Sequence, residues 1–108
     1  MSKLQPVLIK IKRLIIAKKY SFTLKAETEM FADLLTEDQV LEAILNANGI
    51  KKVIRSTSPH RQPDEKLYVI ESFTYDGLLI YTKGTIKKDQ QGQQTYYLLV
   101  SSKRSTFD

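Results

Sequence analysis

The sequence predicts an α+β domain in which N-terminal helices pack on one face of a roughly four-stranded antiparallel meander sheet. Apolar residues recur at helical spacing in the first half of the chain and change to strand-like alternation after residue 50. Turn signals at Asp76-Gly77 and at 89–92 divide the second half into short segments, and such short connections require antiparallel neighbours. Helices followed by strands, rather than alternating with them, are typical of α+β domains.

The first predicted helix covers residues 4–18. Its apolar stripe at helical spacing consists of Leu4, Val7, Leu8, Ile11, Leu14 and Ile15. Pro6 is suited to the first turn of a helix, where its missing N–H has no intrahelical partner to lose. Residues 1–20 contain six basic groups and no acid. They lack the uninterrupted apolar core of a signal peptide, so we interpret them as part of the domain rather than as a targeting segment.

Two further helices are predicted before residue 50. One runs from about Thr23 to Leu35, with Phe31 and Leu34 among its inward residues. The next opens at Thr36, where the order Thr-Glu-Asp-Gln matches a capping box with acids in the first turn. Its buried face is predicted to contain Val40, Leu41, Ile44 and Leu45. Asn48-Gly49 is predicted to end this helix, with Gly49 in the left-handed conformation.

The strands are predicted at 50–56, 66–74, 78–87 and 94–101, with a polar loop at 57–65. The whole chain, 1–108, is interpreted as one domain with a helical part at about 4–48, a sheet part at about 50–101 and a short tail at 102–108. Gly84 leaves a gap on the packed face of its strand, which indicates a bulge or a close helix contact.

Composition excludes several classes of protein. The apolar share of 42% and the charged share of 27% are ordinary for a globular domain. The absence of cysteine excludes disulfides and thiolate metal sites, and it is consistent with a reducing, cytoplasmic location. The longest apolar runs are four residues, so no membrane span is expected. We expect no cofactor and no metal.

The net charge of +5 is unevenly distributed. Residues 21–50 reverse the basic character of the N-terminus, with six acids against Lys25 alone. Such charge favours attraction to nucleic acid or to an acidic partner. A basic first helix packed beside acidic helices is the alternative explanation, and it needs no external partner.

A row of aromatic and basic residues is the main functional signal. Tyr81, Lys83 and Lys87 alternate along one predicted strand, so they share one face. Lys103 and Arg104 follow in the tail, and Tyr96 or Tyr97 could join the row, since the register is not fixed by the sequence. Interleaved aromatic and basic residues are typical of nucleic-acid platforms. The alternative is a solvated sheet face whose lysines serve solubility.

Three other residues are candidates for binding or catalysis. His60, the only histidine, lies in the predicted loop beside Arg61 and could act as a general acid or base. The alternative, an exposed loop histidine without such a role, is favoured because no partner residue stands at a fixed spacing from it. Arg55 could bind a phosphate through its planar guanidinium, or could protect an edge strand from aggregation.

The carboxylates form no convincing catalytic pair: Glu29 lies on a helix surface and Glu71 is isolated in its strand.

Three short segments carry a family resemblance. They read Y-S-F-T-L-K-A at 20–26 followed by Met30, L-T-E-D-Q-V-L-E-A-I at 35–44, and Y-D-G-L-L-I-Y at 75–81. Over about residues 20–101 the chain resembles the small bacterial domain of unknown function 4258, whose members typically read F-T-L-H-A, a Met one turn on, I-S-E-E-D-V and D-G-R-P-L. That family is similar to the RelE/BrnT-like toxins of toxin–antitoxin systems.

The resemblance implies a RelE-like fold, with helices on an antiparallel sheet whose face cleaves messenger RNA by metal-independent transesterification. The family histidine after F-T-L is Lys25 here, and the arginine common after the Met is not evident at 31–33. It therefore stays open whether this chain is an enzyme, a metal-independent endoribonuclease.

The leading prediction is a cytoplasmic RelE/BrnT-like protein that binds RNA or the ribosome and is held by an antitoxin. The candidate catalytic residues are Tyr81, Lys83 and His60. The candidate nucleic-acid-binding residues are Arg55, Arg61, Lys87, Lys103 and Arg104. The alternative is a non-catalytic protein-interaction domain that docks an acidic partner through its basic sheet face.

Overall fold

The α+β class is confirmed by the computed structural model, which describes residues 3–55 and 65–106. The described residues form three helices and a five-stranded sheet. In chain order the elements are α1 (Gln5–Ile16), β1 (Tyr20–Phe22), α2 (Leu24–Ala32), α3 (Glu37–Leu45), β2 (Lys52–Arg55), β3 (Lys66–Phe73), β4 (Leu79–Lys88) and β5 (Thr95–Arg104).

The sheet has the order β1-β5-β4-β3-β2. Strands β2 to β5 form the predicted antiparallel meander, and β1 adds to β5 in parallel, with Tyr20 opposite Tyr97. The prediction of four antiparallel strands is therefore wrong in strand number and in the direction of the added strand. Three residues between two helices give too short a run for alternation to reveal β1.

Strand β5 also extends beyond its predicted end at 101. It continues to Arg104, so Lys103 and Arg104 belong to the sheet rather than to a tail. These two residues pair with Tyr81 and Ile80 of β4. The polar sequence 101–104 does not indicate a strand by itself, but pairing with the long strand β4 supplies hydrogen-bond partners for its backbone.

One face of the sheet is covered by α1 and α3, and the core lies between them. On α1 the buried residues Leu8, Ile11 and Ile15 belong to the predicted stripe. On α3 the buried residues are Val40, Leu41, Ala43 and Ile44, whereas Leu45 is 37% exposed rather than buried. The sheet contributes Ile70, Ile80, Tyr97 and Leu99 to the same core cluster.

The start of α3 follows the sequence prediction, and its end does not. Thr36 accepts from the backbone N–H of Gln39, whose side chain accepts from the N–H of Thr36, so the capping box is confirmed. The helix ends at Leu45 with Asn46 as its C-cap, before the predicted end at Asn48-Gly49. Gly49 is not left-handed, so the prediction that it closes the helix is wrong. Left-handed residues follow the other two helices instead.

Helix α2 lies along the free edge of β5, beyond the short strand β1. Thr23 caps it, close to the predicted start. The carboxylate of Glu29 accepts from the backbone N–H of Ser102 at 3.2 Å, and that of Asp33 accepts from the N–H of Arg104 at 2.8 Å. Glu29 and Asp33 are four residues apart on the helix, a rise of about 6 Å, and the N–H groups of Ser102 and Arg104 are two residues apart on the strand, a rise of about 7 Å. The two carboxylates therefore match the spacing of the two donors. The helix thus covers an edge that would otherwise stay open.

This docking overturns one prediction for α2. Its buried residues are Ala26 and Met30, whereas Phe31 and Leu34 are 84% and 82% exposed rather than inward. Helical periodicity identifies an apolar stripe, but the face that turns inward is set here by the contact between Glu29 and β5. None of the helices in the described ranges is long and apolar enough to cross a membrane.

Candidate nucleic-acid interface

The sheet face opposite α1 and α3 contains four of the eight predicted functional residues, namely Tyr81, Lys83, Lys87 and Lys103. We call it the open face, and its side chains are those of Lys52, Ile54, Leu67, Val69, Glu71, Phe73, Leu79, Tyr81, Lys83, Thr85, Lys87, Tyr96, Leu98, Ser101 and Lys103. The alternation along β4 is confirmed, because Ile80 and Thr82 point to the helix side and are buried. Tyr96 is opposite Lys87 and joins the row, whereas Tyr97 is buried on the helix side.

Tyr81 and Lys103 form the centre of the open face. They are directly opposite each other on β4 and β5, and the Lys103 Nζ lies 5.4 Å from the centroid of the Tyr81 ring. This is a cation–π contact, in which the ammonium group is attracted to the negative face of the ring. It holds an aromatic surface and a positive charge together at one point of the sheet.

Carboxylates and partial burial change the chemistry of Tyr81. Burial raises the pKa of its phenol, and the negative charges of Glu29 and Glu71 raise it further against the opposing charge of Lys51. The phenol is therefore protonated at neutral pH. It can donate a hydrogen bond or a proton and present its ring, but it cannot serve as a base there.

Glu71 is not isolated in its strand, as the sequence suggests. It is directly opposite Tyr81, and its Oε1 accepts from the Lys51 Nζ at 2.8 Å while its Oε2 accepts from the Ser105 hydroxyl. Both hydrogen bonds lower the pKa of Glu71, and the one from Lys51 has the larger effect. Alternation alone could place Glu71 beside Tyr81 in a known register, but its partners come from distant parts of the chain.

Glu29 reaches the same region from α2. Its Oε1 accepts from the hydroxyl of the buried Ser101 at 2.7 Å as well as from the backbone of Ser102. Ser101 is directly opposite Lys83 of β4, so Glu29 binds β5 at the residue that faces this lysine. The sequence placed Glu29 on an ordinary helix surface, and nothing in the local pattern indicates this contact.

Lys87 lies where strands β3 and β4 diverge. The described pairing between the two strands ends at Tyr68 and Gly84, and beyond it a cleft of about 560 Å³ opens, lined in part by Tyr68, Thr85 and Lys88. The Lys87 Nζ lies 3.5 Å from the Glu65 carboxylate across this cleft. Lys87 is thus already engaged with an acid of the same protein.

The open face is less exposed than a simple solvated face. Leu67 is 6% exposed, Val69 is fully buried and Thr85 is 2% exposed. Val69 lies between Lys52 and Lys83 in the register, so the aliphatic stems of these lysines flank it. Tyr81, Lys83 and Lys87 are all half-buried on the same face as these buried residues.

The remaining predicted residues do not join this group. Arg104 is opposite Ile80 on the helix side, and its Nε donates to the backbone carbonyl of Asp33. Arg55 is the last residue of the outer strand β2 and is opposite Lys66. The alternation along β2 places it on the helix side of the sheet. His60 and Arg61 lie outside the described residues. In the described ranges no group of three His, Cys, Asp or Glu residues could hold a metal ion.

Comparisons of the chain with family models, with curated proteins and with solved structures each return no match. The resemblance to the domain of unknown function 4258 and the RelE-like fold therefore stay predictions that rest on the short motifs.

Proposed function

We propose that this chain is an RNA-binding protein of the RelE/BrnT-like toxin type that its motifs resemble, and that it binds RNA on the open face. The pair formed by Tyr81 and Lys103 is the observation that carries this proposal. An aromatic ring can stack with a nucleobase of any identity, and an adjacent ammonium group can neutralise the neighbouring phosphate. Lys83, on the same side of β4, extends the cationic track.

The charge balance of the open face favours an anionic ligand. Lysines 51, 52, 83, 87 and 103 outnumber the three carboxylates that lie on or reach this face, those of Glu29, Glu65 and Glu71. Each of these carboxylates already accepts a hydrogen bond or an ion pair from the protein itself. The same pairs also offset the charges of Lys51 and Lys87, so the potential of this face is set by the excess of five lysines over three carboxylates, which is positive.

Tyr81 is the reason to prefer RNA over an acidic protein as the ligand. Rim charges alone would suit either partner, whereas a half-buried tyrosine with a lysine over its ring gives a stacking surface that a base can use. Docking of an acidic protein is therefore the competing outcome in the test below.

Cleavage of the bound RNA would need more than this face supplies in the described ranges. In transesterification the ribose 2′-oxygen forms a bond to phosphorus, the P–O5′ bond breaks, and the leaving oxygen takes a proton. The protonated Tyr81 can donate that proton, and lysines can stabilise the charge on the phosphate. The proton of the 2′-hydroxyl also needs an acceptor, and Glu29 and Glu71 are already engaged in hydrogen bonds. Binding is thus the proposed function, and cleavage is measured separately.

Binding is tested with a fluorescent single-stranded RNA whose anisotropy is followed over a salt series. Replacing Lys83 or Lys103 by Gln should weaken binding and lower the salt slope by about one for each phosphate that is no longer neutralised. Tyr81→Leu should weaken it by about 1–3 kcal/mol because the base can no longer stack, whereas Tyr81→Phe should retain most of the affinity. Lys25→Gln, on the exposed surface of α2, is the matched control that removes one charge elsewhere.

Two results would contradict the proposal. One is the absence of RNA binding at low salt by a folded protein, which would favour the acidic protein partner. The other is equal weakening by Lys25→Gln and Lys83→Gln, because net charge rather than the open face would then explain the affinity. Electrophoresis of the same RNA, alone and on translating ribosomes, reports cleavage independently of binding.

A further inference from the structure

A groove of about 510 Å³ lies between α1 and α3, on the helix side of the molecule and away from the open face. Its floor is apolar and includes Ile15 and Leu41. At its edge are three large apolar side chains that are unusually exposed: Ile16 at 70%, Leu45 at 37% and Tyr75 at 82%. We refer to these residues and the flanking surface as the α1–α3 groove.

The two walls of the groove have opposite charge. The α3 wall is lined by Asp38 and Glu42, and the α1 wall is lined by Lys18, just beyond the end of that helix, with no acid on its side. The helices run antiparallel, because Lys12 in the middle of α1 donates to the carbonyl of Ala47 just after α3, while Lys18 beyond the end of α1 and Asp38 in the first turn of α3 both line the groove. Lys18 therefore marks a basic wall and Asp38 an acidic one.

These opposite charges do not neutralise each other within one molecule. Ion pairs in the described ranges include Lys51 with Glu71 and Lys87 with Glu65, and neither of these two joins α1 to α3. The sequence left open the alternative that the charges of a basic helix and of the acidic helices beside it balance each other without an external partner. In the described structure only the hydrogen bond from Lys12 links the two walls, and it ends on a backbone carbonyl.

We propose that the α1–α3 groove is a self-complementary interface and that its occupant is the same groove of a second copy of this chain. A two-fold axis places α1 of one copy against α3 of the other, so each basic wall meets an acidic wall. The apolar strip between the walls meets itself under the same rotation. Ile9, 46% exposed and two helical turns before Ile16, extends that strip along α1.

A second copy fits this surface better than a partner of a single charge. A uniformly acidic or basic partner would be attracted by one wall and repelled by the other. Only a partner with both signs on either side of an apolar strip satisfies the whole groove, and this chain has that pattern. The resulting dimer would leave both open faces outward, so dimerisation and RNA binding can fail independently.

The test is sedimentation velocity of the full chain from low micromolar to the highest soluble concentration. The unaltered chain should show a monomer–dimer equilibrium. Ile16→Asp should weaken it at least about tenfold, because a buried charge would interrupt the apolar strip. Lys18→Glu and Asp38→Lys should each weaken it by about tenfold, since each places like charges opposite each other.

Mixing the two charge variants gives the sharpest result. In a mixed dimer, the unaltered Asp38 of the Lys18→Glu chain meets the unaltered Lys18 of the Asp38→Lys chain. The two substituted positions also meet each other with opposite charges, so both contacts are restored. The mixture should therefore dimerise about tenfold more tightly than either variant alone. Lys25→Glu and Glu27→Lys on the exposed side of α2 are matched charge controls and should leave dimerisation unchanged.

Circular dichroism of each variant shows that it is folded, which is expected because all the altered side chains are exposed. A folded chain that stays monomeric at every concentration overturns the proposal. So does a dimer that is insensitive to Ile16→Asp, or a mixture of charge variants that associates no better than its components.

Discussion

The ring of Tyr97 lies against Gly84 on the neighbouring strand so closely that a side chain at Gly84 has no room. A Cβ atom built on Gly84 would lie 2.5 Å from Cζ and 2.6 Å from the hydroxyl oxygen of Tyr97. The same glycine adjoins a β-bulge between Lys83 and Gly84, where the pairing with β5 shifts by one residue. The bulge predicted from Gly84 is confirmed, and the close contact comes from a tyrosine of the sheet rather than from a helix.

Gly84→Ala should destabilise the fold by about 1–3 kcal/mol, because the fully buried ring cannot move away without disturbing the core. Gly49→Ala is the matched control, since a Cβ there meets nothing within 4 Å and the backbone is not left-handed. Urea denaturation of both variants measures the difference. Equal stability of the two variants would show that the contact between Tyr97 and Gly84 is not restrictive.

Tyr97→Phe should leave the stability unchanged or raise it by up to about 1 kcal/mol. The Tyr97 hydroxyl is buried without a hydrogen-bond partner among the described residues, and burial raises the pKa of the phenol, so removing the oxygen breaks no hydrogen bond. Tyr97→Ala, in contrast, removes the ring and should cost about 3–5 kcal/mol. Thermal unfolding of the three proteins tests this, and a loss above about 1 kcal/mol for Tyr97→Phe would reveal a partner for the hydroxyl.

Glu29→Ala should destabilise the protein by about 1–3 kcal/mol, because it leaves the Ser101 hydroxyl and the Ser102 N–H without their acceptor at the edge of β5. Glu27→Ala, on the exposed side of the same helix, should stay within about 0.5 kcal/mol of the unaltered chain. Chemical denaturation compares the two. A similar destabilisation in both would mean that helix propensity, and not the contact with β5, explains the effect.

The ion pair between Glu71 and Lys51 should make stability depend on pH in a defined direction. The folded pKa of Glu71 is lowered from its ordinary value of 4.5, so the pair stabilises the fold above that pH and loses its effect as the pH falls through the lower folded value. Lys51 is 56% exposed, so the effect should be within about 1 kcal/mol. Unfolding at several pH values should show Glu71→Gln less stable than the unaltered chain at pH 7, with the difference closing in acid. A difference that is independent of pH would exclude this origin.

Much of the local structure could be predicted from the sequence because its causes are local. The stripe from Leu8 to Ile15 and the capping box at Thr36 depend on residues within a turn or two of each other. The turn at Asp76-Gly77 needs a left-handed residue, and Gly77 has a φ of 85°. The face shared by Tyr81, Lys83 and Lys87 follows from the two-residue repeat of any strand.

The composition of the candidate site could not be predicted in the same way. Lys51 and Glu71 are 20 residues apart in the chain, and Glu29 and Ser101 are 72 apart. Such pairs form only after strand register and helix docking are fixed, and neither is encoded in spacing along the chain. For the same reason Phe31 and Leu34 are exposed although they lie in an apolar helix, and Arg104 turns away from the row that Lys103 joins.

The sequence by itself determined the α+β class, the order of most elements and the alternating row of tyrosine and lysines, because these depend on periodicities within single helices and strands. Tertiary structure alone decided that β1 adds in parallel to β5, that α2 covers the β5 edge with its carboxylates, and that Tyr81 lies between Lys103 and Glu71. The physical reason is that pairing across a sheet brings together groups whose attraction acts through space, and their separation along the chain has no bearing on it.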